Sequence, residues 1–403
     1  MYRKKGLINP SITGIKNSAG RGSCARDLFL GMFEEFSPVS KKEWLAKIEQ
    51  DLKGRSVEAL NWQPEEGLEI SPFAHPDELP QPPPPILLGD GLSWLIGEDF
   101  SDDLSAEDLN ALLLEALNYG LESPRLAFRQ MPQRAYLFRA LQGVQLSYLS
   151  PWFFVEEAEE NAVFELVEFL TDLYGKGEKA GLGSLAVGTR ALTLSGQHLA
   201  KAREMLPTYR FIRVEGFGTA KEGVVEGLTE LLQQALQAFG ESRLSMADFN
   251  RLLFFEIETG SQYFLEIARL RALRLLWANI LQNVGASPEE SPLLDVRLVL
   301  QESGEAQQGF DEVSLQERTN TDRIAAAPLA MAALLGGADR LSIPPAGYPL
   351  QAADSFNRRI ARNVHHLLRF ETGLHRVADP LAGSYYVEKL TNQIAEEVWR
   401  LMR

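Results

Sequence analysis

The sequence contains a single cysteine, Cys24, so it cannot form an intrachain disulfide, which fits a reducing compartment. No apolar run approaches the roughly 20 residues that a membrane-spanning helix needs, and residues 1–31 lack the sustained apolar core of a signal peptide. Positive charge is scarce too: 40 Lys and Arg residues stand against 55 Asp and Glu residues, a formal net charge of −15. Nucleic acids and anionic membranes both select clustered positive charge. These absences predict a cytoplasmic protein that binds neither nucleic acid nor membrane.

What is present fits a globular protein with a large core, since 45% of the 403 residues are hydrophobic and 24% are charged. Residues 1–31 are expected to be a disordered extension. Residues 32–103 are predicted to form an N-terminal helix, capped by Ser40 and Glu43, and an extended arm. The arm is proline-rich and ends in Pro82-Pro-Pro-Pro85, so it is either a linker or a belt laid over a partner, and its apolar residues favour the belt.

Residues 104–403 alternate short apolar strands with amphipathic helices. The predicted helices include Glu157–Tyr174, Gly223–Phe239, Tyr263–Val284 and Asp322–Leu335. The predicted strands are Ser123–Phe128, Val144–Leu149, Ser184–Gly188, Phe211–Gly216, Leu252–Glu258, Asp295–Leu300, Arg340–Ile343 and Ser384–Val387. Eight strands separated by helices indicate an α/β protein with a parallel (β/α)8 barrel, although a doubly wound open sheet has a similar pattern.

Four blocks of sequence carry a family resemblance. They are Tyr263-Phe-Leu-Glu-Ile-Ala-Arg-Leu-Arg-Ala-Leu-Arg-Leu-Leu-Trp277, Ser355-Phe-Asn-Arg-Arg-Ile-Ala-Arg-Asn363, Phe370-Glu-Thr-Gly373 and Val377-Ala-Asp-Pro-Leu-Ala-Gly-Ser-Tyr-Tyr-Val-Glu388. Together they resemble the acyl-CoA mutase barrel of the methylmalonyl-CoA mutase family. The resemblance covers residues 36–403 and is specific after about residue 250. It favours a TIM-type barrel over an open sheet.

The resemblance implies a chemistry that uses adenosylcobalamin, which supplies radicals for rearranging an acyl-CoA. Members of the family bind the cobalt through a histidine in an Asp-x-His-x-x-Gly motif on a C-terminal domain. This sequence has no such motif, and its histidines lack metal-ligand spacing: His75, His198, His365, His366 and His375. We therefore expect no C-terminal cobalamin-binding domain, and neither a cofactor nor a metal bound by this chain.

The substrate side also departs from the family pattern. Active members carry Gly-Tyr-His after the fourth strand, and Gly218 stands at the position of that histidine in Gly216-Phe-Gly218. They carry Trp-Thr-Ile-Arg-Gln-Tyr after the arm, where Trp94-Leu-Ile-Gly-Glu-Asp99 places Gly97 at the arginine and Asp99 at the tyrosine. A glycine has no side chain to donate to a thioester or pair with phosphate, and Glu98 with Asp99 is expected to repel phosphates. We expect no catalytic residue in this chain.

This combination is similar to the small subunits of the two-chain members of the family. These are catalytically silent copies paired as a heterodimer with a catalytic large subunit, which then carries the adenosylcobalamin. One alternative is an active mutase barrel that works with a separate cobalamin-binding protein. Another is an unrelated barrel enzyme, in which Glu256 and Glu258 share one face of a strand and act as acid and base.

Three further features have structural interpretations. The arginines of the Tyr263–Trp277 block are expected to solvate one face of a core helix. His365 and His366 are expected on a surface or an interface. Pro344-Pro345 follows the seventh predicted strand and is interpreted as a plug or rigid lid.

Overall fold

The computed structural model describes residues 39–65, 68–78, 93–101, 103–174, 182–216, 223–287, 291–300, 312–349 and 353–403. The chain divides into two units, Met1–Ala59 and Leu60–Arg403. The predicted extension and Pro82–Pro85 lie outside the described residues. In the first unit, helix α1 spans Lys41–Asp51 and begins with a reciprocal capping box between Ser40 and Glu43. The helix predicted here is confirmed.

The second unit is built on a parallel sheet that closes into a barrel. Its strands are β3 (Leu95–Phe100), β4 (Ser123–Gln130), β5 (Trp152–Glu157), β6 (Gly183–Val187), β7 (Tyr209–Arg210), β8 (Ile212–Gly216), β9 (Leu253–Glu258), β10 (Leu293–Arg297) and β11 (Arg340–Ser342). The hydrogen-bonded order is β7-β6-β5-β4-β3-β11-β10-β9-β8. Only Phe211 separates β7 from β8, and β7 pairs with β6 while β8 pairs with β9. These two short pieces therefore act as one strand that closes an eight-stranded TIM-type barrel.

Helices surround the barrel. They are α2 (Ala106–Asn118), α3 (Arg134–Ala140), α4 (Glu160–Tyr174), α5 (Gly196–Met205), α6 (Val224–Ser242), α7 (Met246–Leu252), α8 (Tyr263–Asn283), α9 (Glu312–Leu335), α10 (Ser355–His366) and α11 (Tyr385–Leu401). A π-helical turn, Leu367–Glu371, extends α10. The main core lies between the helices and the outward faces of the strands, with Ile212, Val296 and Leu341 almost fully buried. Pairing all strands in parallel requires this cover of helices.

Two of the predicted strands are wrong. Val144–Leu149 is a loop that contains the short 3-10 helix Leu146–Tyr148, and Ser384–Val387 is the start of α11. The Tyr-Tyr-Val run favours a strand by propensity, but Val387 is buried among helices, and packing overrides propensity.

Two barrel strands were not predicted, β3 and β5. Strand β3 carries Gly97, Glu98 and Asp99, so it is too polar to be recognised as a buried strand. The barrel consequently begins at Leu95, before residue 104, where the sequence analysis placed its start. The other predicted strands correspond to strands of the structure, with β10 beginning two residues earlier than predicted.

The first part of the predicted arm packs against the core of the same chain. Strands β1 (Trp62–Glu65) and β2 (Leu68–Ile70) form an antiparallel hairpin, and Leu68 and Ile70 are each 2% exposed in the main core. The Glu65 carboxylate accepts hydrogen bonds from the backbone N–H groups of Val224 and Val225, the latter at 3.0 Å. A carboxylate at a helix N-terminus satisfies free N–H groups and complements the helix dipole. The hairpin is thus fastened to the start of α6.

Replacing Glu65 with glutamine is expected to lower the free energy of unfolding by about 1–2 kcal/mol, because the charge is lost where α6 has its positive end. Urea denaturation followed by circular dichroism measures this change. Glu69→Gln in the same hairpin is the matched control, since Glu69 is exposed and its carboxylate accepts from the Asn61 side chain and from no backbone N–H of the described residues. Equal stability of the two variants would show that Glu65 does not fasten the hairpin.

Candidate functional site

The axis of the barrel is occupied by charged side chains that point inward from five strands. We call this set the axial network: Asp99 on β3, Arg125 on β4, Arg213 on β8, Glu256 on β9 and Arg297 on β10. Arg125 pairs with Asp99 at 3.1 Å and with Glu256 at 3.4 Å. Arg297 pairs with the same two carboxylates at 3.1 and 3.4 Å, and Arg213 binds Glu256 through Nε. Every carboxylate of the network therefore bridges two or more guanidinium groups.

The network holds its charges in place. Burial acts to raise the pKa of Glu256, but Arg125, Arg213 and Arg297 outweigh it and lower the pKa below its ordinary value. Asp99 behaves in the same way, with burial opposed by Arg297 and Arg125. A carboxylate that is ionised and held by several guanidinium groups is a poor proton acceptor. The prediction that Glu256 and Glu258 share one face of a strand is confirmed, since both lie near Arg297. The prediction that they act as acid and base is not supported for Glu256, because its carboxylate is held ionised by arginines.

A second layer fills the axis one step closer to the amino ends of the strands. Trp152 and Phe254 pack edge to face with ring centroids 6.0 Å apart, and the Arg125 guanidinium lies 3.9 Å from the Trp152 ring centre. Arg340 crosses the same layer and pairs with Asp295 at 2.9 Å. All four members of this layer, Trp152, Phe254, Asp295 and Arg340, are at most 1% exposed. Two successive layers of large side chains leave the axis closed.

Gly97 lies in β3 beside this packing, where the family pattern has an arginine. A Cβ atom at this position would lie 2.5 Å from Ser342 Oγ and 2.8 Å from the Leu341 carbonyl oxygen. Both distances are far shorter than van der Waals contact, and one of the two atoms belongs to the backbone. The barrel therefore has no room for any side chain at residue 97.

The remaining predicted site positions are Asp99, with its acidic neighbour Glu98, and Gly218. Asp99 is a member of the axial network, so its carboxylate is committed to Arg125 and Arg297. Glu98 points the other way, against α10, where Arg358 and Arg362 bind it at 2.7 and 2.6 Å. The expected acidic pair that repels phosphate is therefore not formed. Gly218 lies outside the described residues, so its role remains a prediction.

A cavity of about 170 Å³ remains above the axial network, at the carboxyl ends of the strands. Its polar lining residues are Asp99, Ser101, Arg125, Arg297, Ser342 and Arg358, and its other lining residues include Phe100, Pro344, Pro345 and Tyr348. Ligand pockets commonly measure about 300–1,000 Å³, so this cavity is small even for a drug-sized molecule. Pro344 and Pro345 line this cavity, and their interpretation as a plug or rigid lid stays a prediction.

The histidines do not assemble into a site for cobalt in the part of the chain that the structure describes. None of the five lines the mouth cavity. No group of three His, Cys, Asp or Glu residues has an arrangement that could hold a metal ion among the described residues. His198 is paired with Glu160 at 3.2 Å, on the helical layer outside the barrel. Within the described residues, the histidines therefore form no cluster that could hold a metal ion by itself.

His365 is buried rather than exposed, so the expectation of a surface position is wrong for it. Its side chain is 1% exposed, and the Trp94 indole donates to its Nδ1 at 3.1 Å. Burial, together with Arg369 and His366, lowers the pKa of His365 to about 3. A neutral ring with Nδ1 as acceptor is therefore the native form.

This depressed pKa predicts an acid-sensitive contribution to stability. An unfolded histidine titrates near pH 6.5, so below that pH the unfolded chain binds a proton that the native ring refuses. The free energy of unfolding is therefore unaffected by the titration of His365 above pH 6.5 and falls as the pH is lowered from 6.5 towards 3. From this group alone, the loss between pH 7 and pH 5 amounts to about 2 kcal/mol. His365→Gln, which keeps an acceptor for Trp94, should reduce that loss by a similar amount in urea titrations at each pH. Parallel pH profiles for the two proteins would contradict the assignment.

The arginines of α8 are buried and paired, which corrects the expectation that they solvate one face. Arg271 binds Asp379 at 2.7 Å and Glu388 at 2.8 Å, and Arg274 binds Asp339 at 2.9 Å. Asp379 and Glu388 are the two acidic residues of the closing Val377–Glu388 block. The most recognisable segments of the sequence are therefore joined by a buried ion pair. Sequence reasoning overlooked that both segments carry charged residues within otherwise apolar surroundings. A charge in the protein interior needs a partner of opposite charge, so the two segments could have been expected to pair.

None of the helices within the described residues combines the length and the apolar character that crossing a membrane requires. Among solved structures, the chain is similar to a Plasmodium falciparum HPPK-DHPS, at 15% identity over 74% of this chain and 50% of that chain. The TM-score of that match is 0.40, which supports no argument.

Sequence comparison is more informative. The chain is 28% identical to a methylmalonyl-CoA mutase small subunit of Porphyromonas gingivalis, over 92% of this chain and 63% of that one. It is 29% identical to a probable methylmalonyl-CoA mutase small subunit of Mycobacterium bovis, over 80% and 56%. It is 37% identical to a methylmalonyl-CoA mutase of Rhizobium meliloti, over 50% and 28%. The chain thus spans less than two thirds of the length of these relatives.

The family model for methylmalonyl-CoA mutase matches residues 191–403, more than half of the chain. This segment includes Arg271, Asp379 and Glu388, whose ion pairs fix the end of the barrel. Sequence, fold and the contacts between the blocks that carry the resemblance agree with one another, and the chain belongs to the methylmalonyl-CoA mutase family.

Proposed function

We propose that this chain is a non-catalytic small subunit of a two-chain methylmalonyl-CoA mutase. The observation that carries the proposal is the axial network, in which Asp99 and Glu256 are each held by two or more arginines. TIM-barrel enzymes place their reacting groups at the carboxyl ends of the strands. Here the charged groups at that end neutralise one another and leave a small cavity.

The ion pairs also argue against acid–base catalysis by Asp99 or Glu256. A catalytic carboxylate is tuned towards neutrality so that it can exchange a proton near pH 7. Glu256 and Asp99 are shifted in the opposite direction by their arginine partners. Removing any one member of the network would take a partner away from at least one of the remaining charges, so these residues meet a structural requirement.

The partner in this proposal is a catalytic large subunit, which carries the adenosylcobalamin. Relatives named as large subunits exist, for example in Porphyromonas gingivalis, alongside the small subunit of the same organism. A barrel without a functional active site can still stabilise a homologous barrel by burying the apolar surface of that barrel. Stable interfaces of obligate pairs commonly bury about 2,000 Å² or more.

The test is a mutase assay with three arms: the chain alone, the chain with a cobalamin-domain protein, and the chain co-purified with the large subunit from the same genome. We expect activity in the third arm alone, and a longer half-life of activity at 37 °C than for the large subunit by itself. Activity in the second arm would overturn the proposal, because it would show that this barrel turns over substrate. A large subunit equally active and stable without this chain would contradict the stabilising role.

A further inference from the structure

One face of the barrel carries an exposed stripe of large apolar side chains. On α10 and its π-helical extension, Phe356, Leu367 and Phe370 are 50%, 53% and 66% exposed. Eleven residues, or three helical turns, separate Phe356 from Leu367, so both side chains point away from the barrel along the same line. The opposite face of the same helix is buried, with Ala361, Val364 and Leu368 in the core. The stripe is therefore an outward face with no cover from the described residues.

Neighbouring helices widen the stripe. Ile324 of α9 is 76% exposed next to Arg323, whose guanidinium lies 5.4 Å from the Phe356 ring centre. On the other side, Tyr119 at the end of α2 is 56% exposed, and its carbonyl oxygen lies 2.9 Å from His366 Nε2. We call this surface the α10 face: Tyr119, Arg323, Ile324, Phe356, Arg359, Leu367 and Phe370. It combines aromatic residues with arginine, the two residue types most enriched at the centres of protein interfaces.

The α10 face is positively charged in a strongly acidic chain. Within 355–376 there are five arginines and one acidic residue, whereas the whole chain has a net charge of −15. Arg358, Arg362 and Arg369 are used inside the protein, where they bind Glu98 and Glu122. No carboxylate of the described residues forms an ion pair with Arg323 or Arg359, and both instead stack on Phe356. Arg323 also donates to the side-chain oxygens of Asn357 and Asn320. Of the two, Arg359 has no hydrogen bond or ion pair within the described residues and can bind a carboxylate of a partner.

The charge distinguishes between two kinds of partner. A second copy of this chain, packed about a two-fold axis, would bring the α10 face onto itself and oppose Arg323 and Arg359 with their own equivalents. Such like-charge contacts are costly at an interface. A different chain with acidic residues around an apolar patch complements both the stripe and its arginines.

We propose that the α10 face is the surface on which this chain binds the catalytic large subunit, through an acidic and apolar patch of that subunit. This inference rests on the proposed function and adds to it the location and chemistry of the interface. Phe356, Leu367 and Phe370 provide the buried centre, and Arg323 and Arg359 provide the charged contacts around Phe356.

The test measures the affinity of full-length variants for the large subunit from the same genome, by biolayer interferometry at two salt concentrations. The triple variant Phe356→Asp/Leu367→Asp/Phe370→Asp should raise Kd by about 100-fold or more, because interface centres do not tolerate charge. Arg359→Glu should weaken binding by about 10-fold at low salt and less at high salt. The matched control is Phe138→Asp/Tyr148→Asp, which introduces acid at two side chains that are 63% and 83% exposed elsewhere on the barrel. Circular dichroism and thermal melting confirm that each variant is folded.

The outcomes separate this inference from the proposal beneath it. If the unmodified chain does not bind the large subunit, the proposed function is wrong, and so is the proposed interface. If the unmodified chain binds and the triple variant binds equally well, the α10 face is not the interface, although the small-subunit role stands. If the unmodified chain forms a homodimer that the triple variant disrupts, the partner is a second copy and the inference is wrong.

Discussion

Replacing Gly97 with alanine should destabilise the barrel by about 3 kcal/mol or more, at the upper end of overpacking effects. The new methyl group would be 2.5 Å from Ser342 Oγ and 2.8 Å from the Leu341 carbonyl oxygen. Ser342 can change rotamer, but Leu341 belongs to β11, which pairs with β3 along this edge. Relief therefore requires two strands to separate. Urea denaturation measures the loss, and Gly97→Arg, which introduces the family residue, is expected not to accumulate as folded protein.

Two controls make this prediction specific. Gly240→Ala lies in α6, where an added Cβ meets no atom within 4 Å, so it should leave stability unchanged or raise it by up to about 1 kcal/mol. Gly97→Ala with Ser342→Ala removes one of the two clashes and should recover part of the loss. A Gly97→Ala protein as stable as the unmodified chain would contradict the packing argument. It would also reopen the possibility that an arginine fits at residue 97.

The second large effect is expected at Arg271. Arg271→Met leaves Asp379 and Glu388, whose side chains are 5% exposed, without the guanidinium that binds both. Breaking a buried ion pair from one side typically costs about 3–5 kcal/mol, because the remaining charges stay buried and unpaired. We expect the closing segment and α11 to detach, which hydrogen exchange would show as lost protection in 379–401.

A charge-neutral replacement tests the cause. Arg271→Met/Asp379→Asn/Glu388→Gln removes all three charges, so it should be more stable than Arg271→Met alone even though it carries more substitutions. Arg400→Met is the surface control, since Arg400 pairs with Glu397 on an exposed helix face and should cost less than about 0.5 kcal/mol. If the triple variant is no more stable than the single one, unpaired charge is not the reason for the loss.

The barrel could be predicted because its repeating pattern is local. An apolar run such as that of β6 is short, continuous and flanked by amphipathic helices, and the family blocks near the end of the chain indicated the topology. Strand β3 escaped prediction because Glu98 and Asp99 are charged. Glu98 is buried because arginines from α10 bind it, and the partly buried Asp99 is bound by arginines from β4 and β10. No local pattern reveals such a partner.

The candidate site shows the same division. Gly97 and Asp99 were identified as departures from the family pattern, and that prediction depended on sequence alone. The reason why the site is closed was not predictable, because Arg125, Arg213 and Arg297 come from strands that are far apart in the sequence. Buried charges of opposite sign on separate strands meet only when the barrel closes. Their pairing is a property of the fold.

Counting the acyl-CoA molecules bound by the purified complex tests the central claim most directly. Equilibrium dialysis of methylmalonyl-CoA against the complex of this chain with its large subunit, loaded with cobalamin, gives the number of sites. A closed axis in this chain predicts one acyl-CoA for each pair of subunits and none for this chain by itself. Two molecules for each pair, or saturable binding by this chain alone, would show that its barrel still admits substrate and would contradict the account.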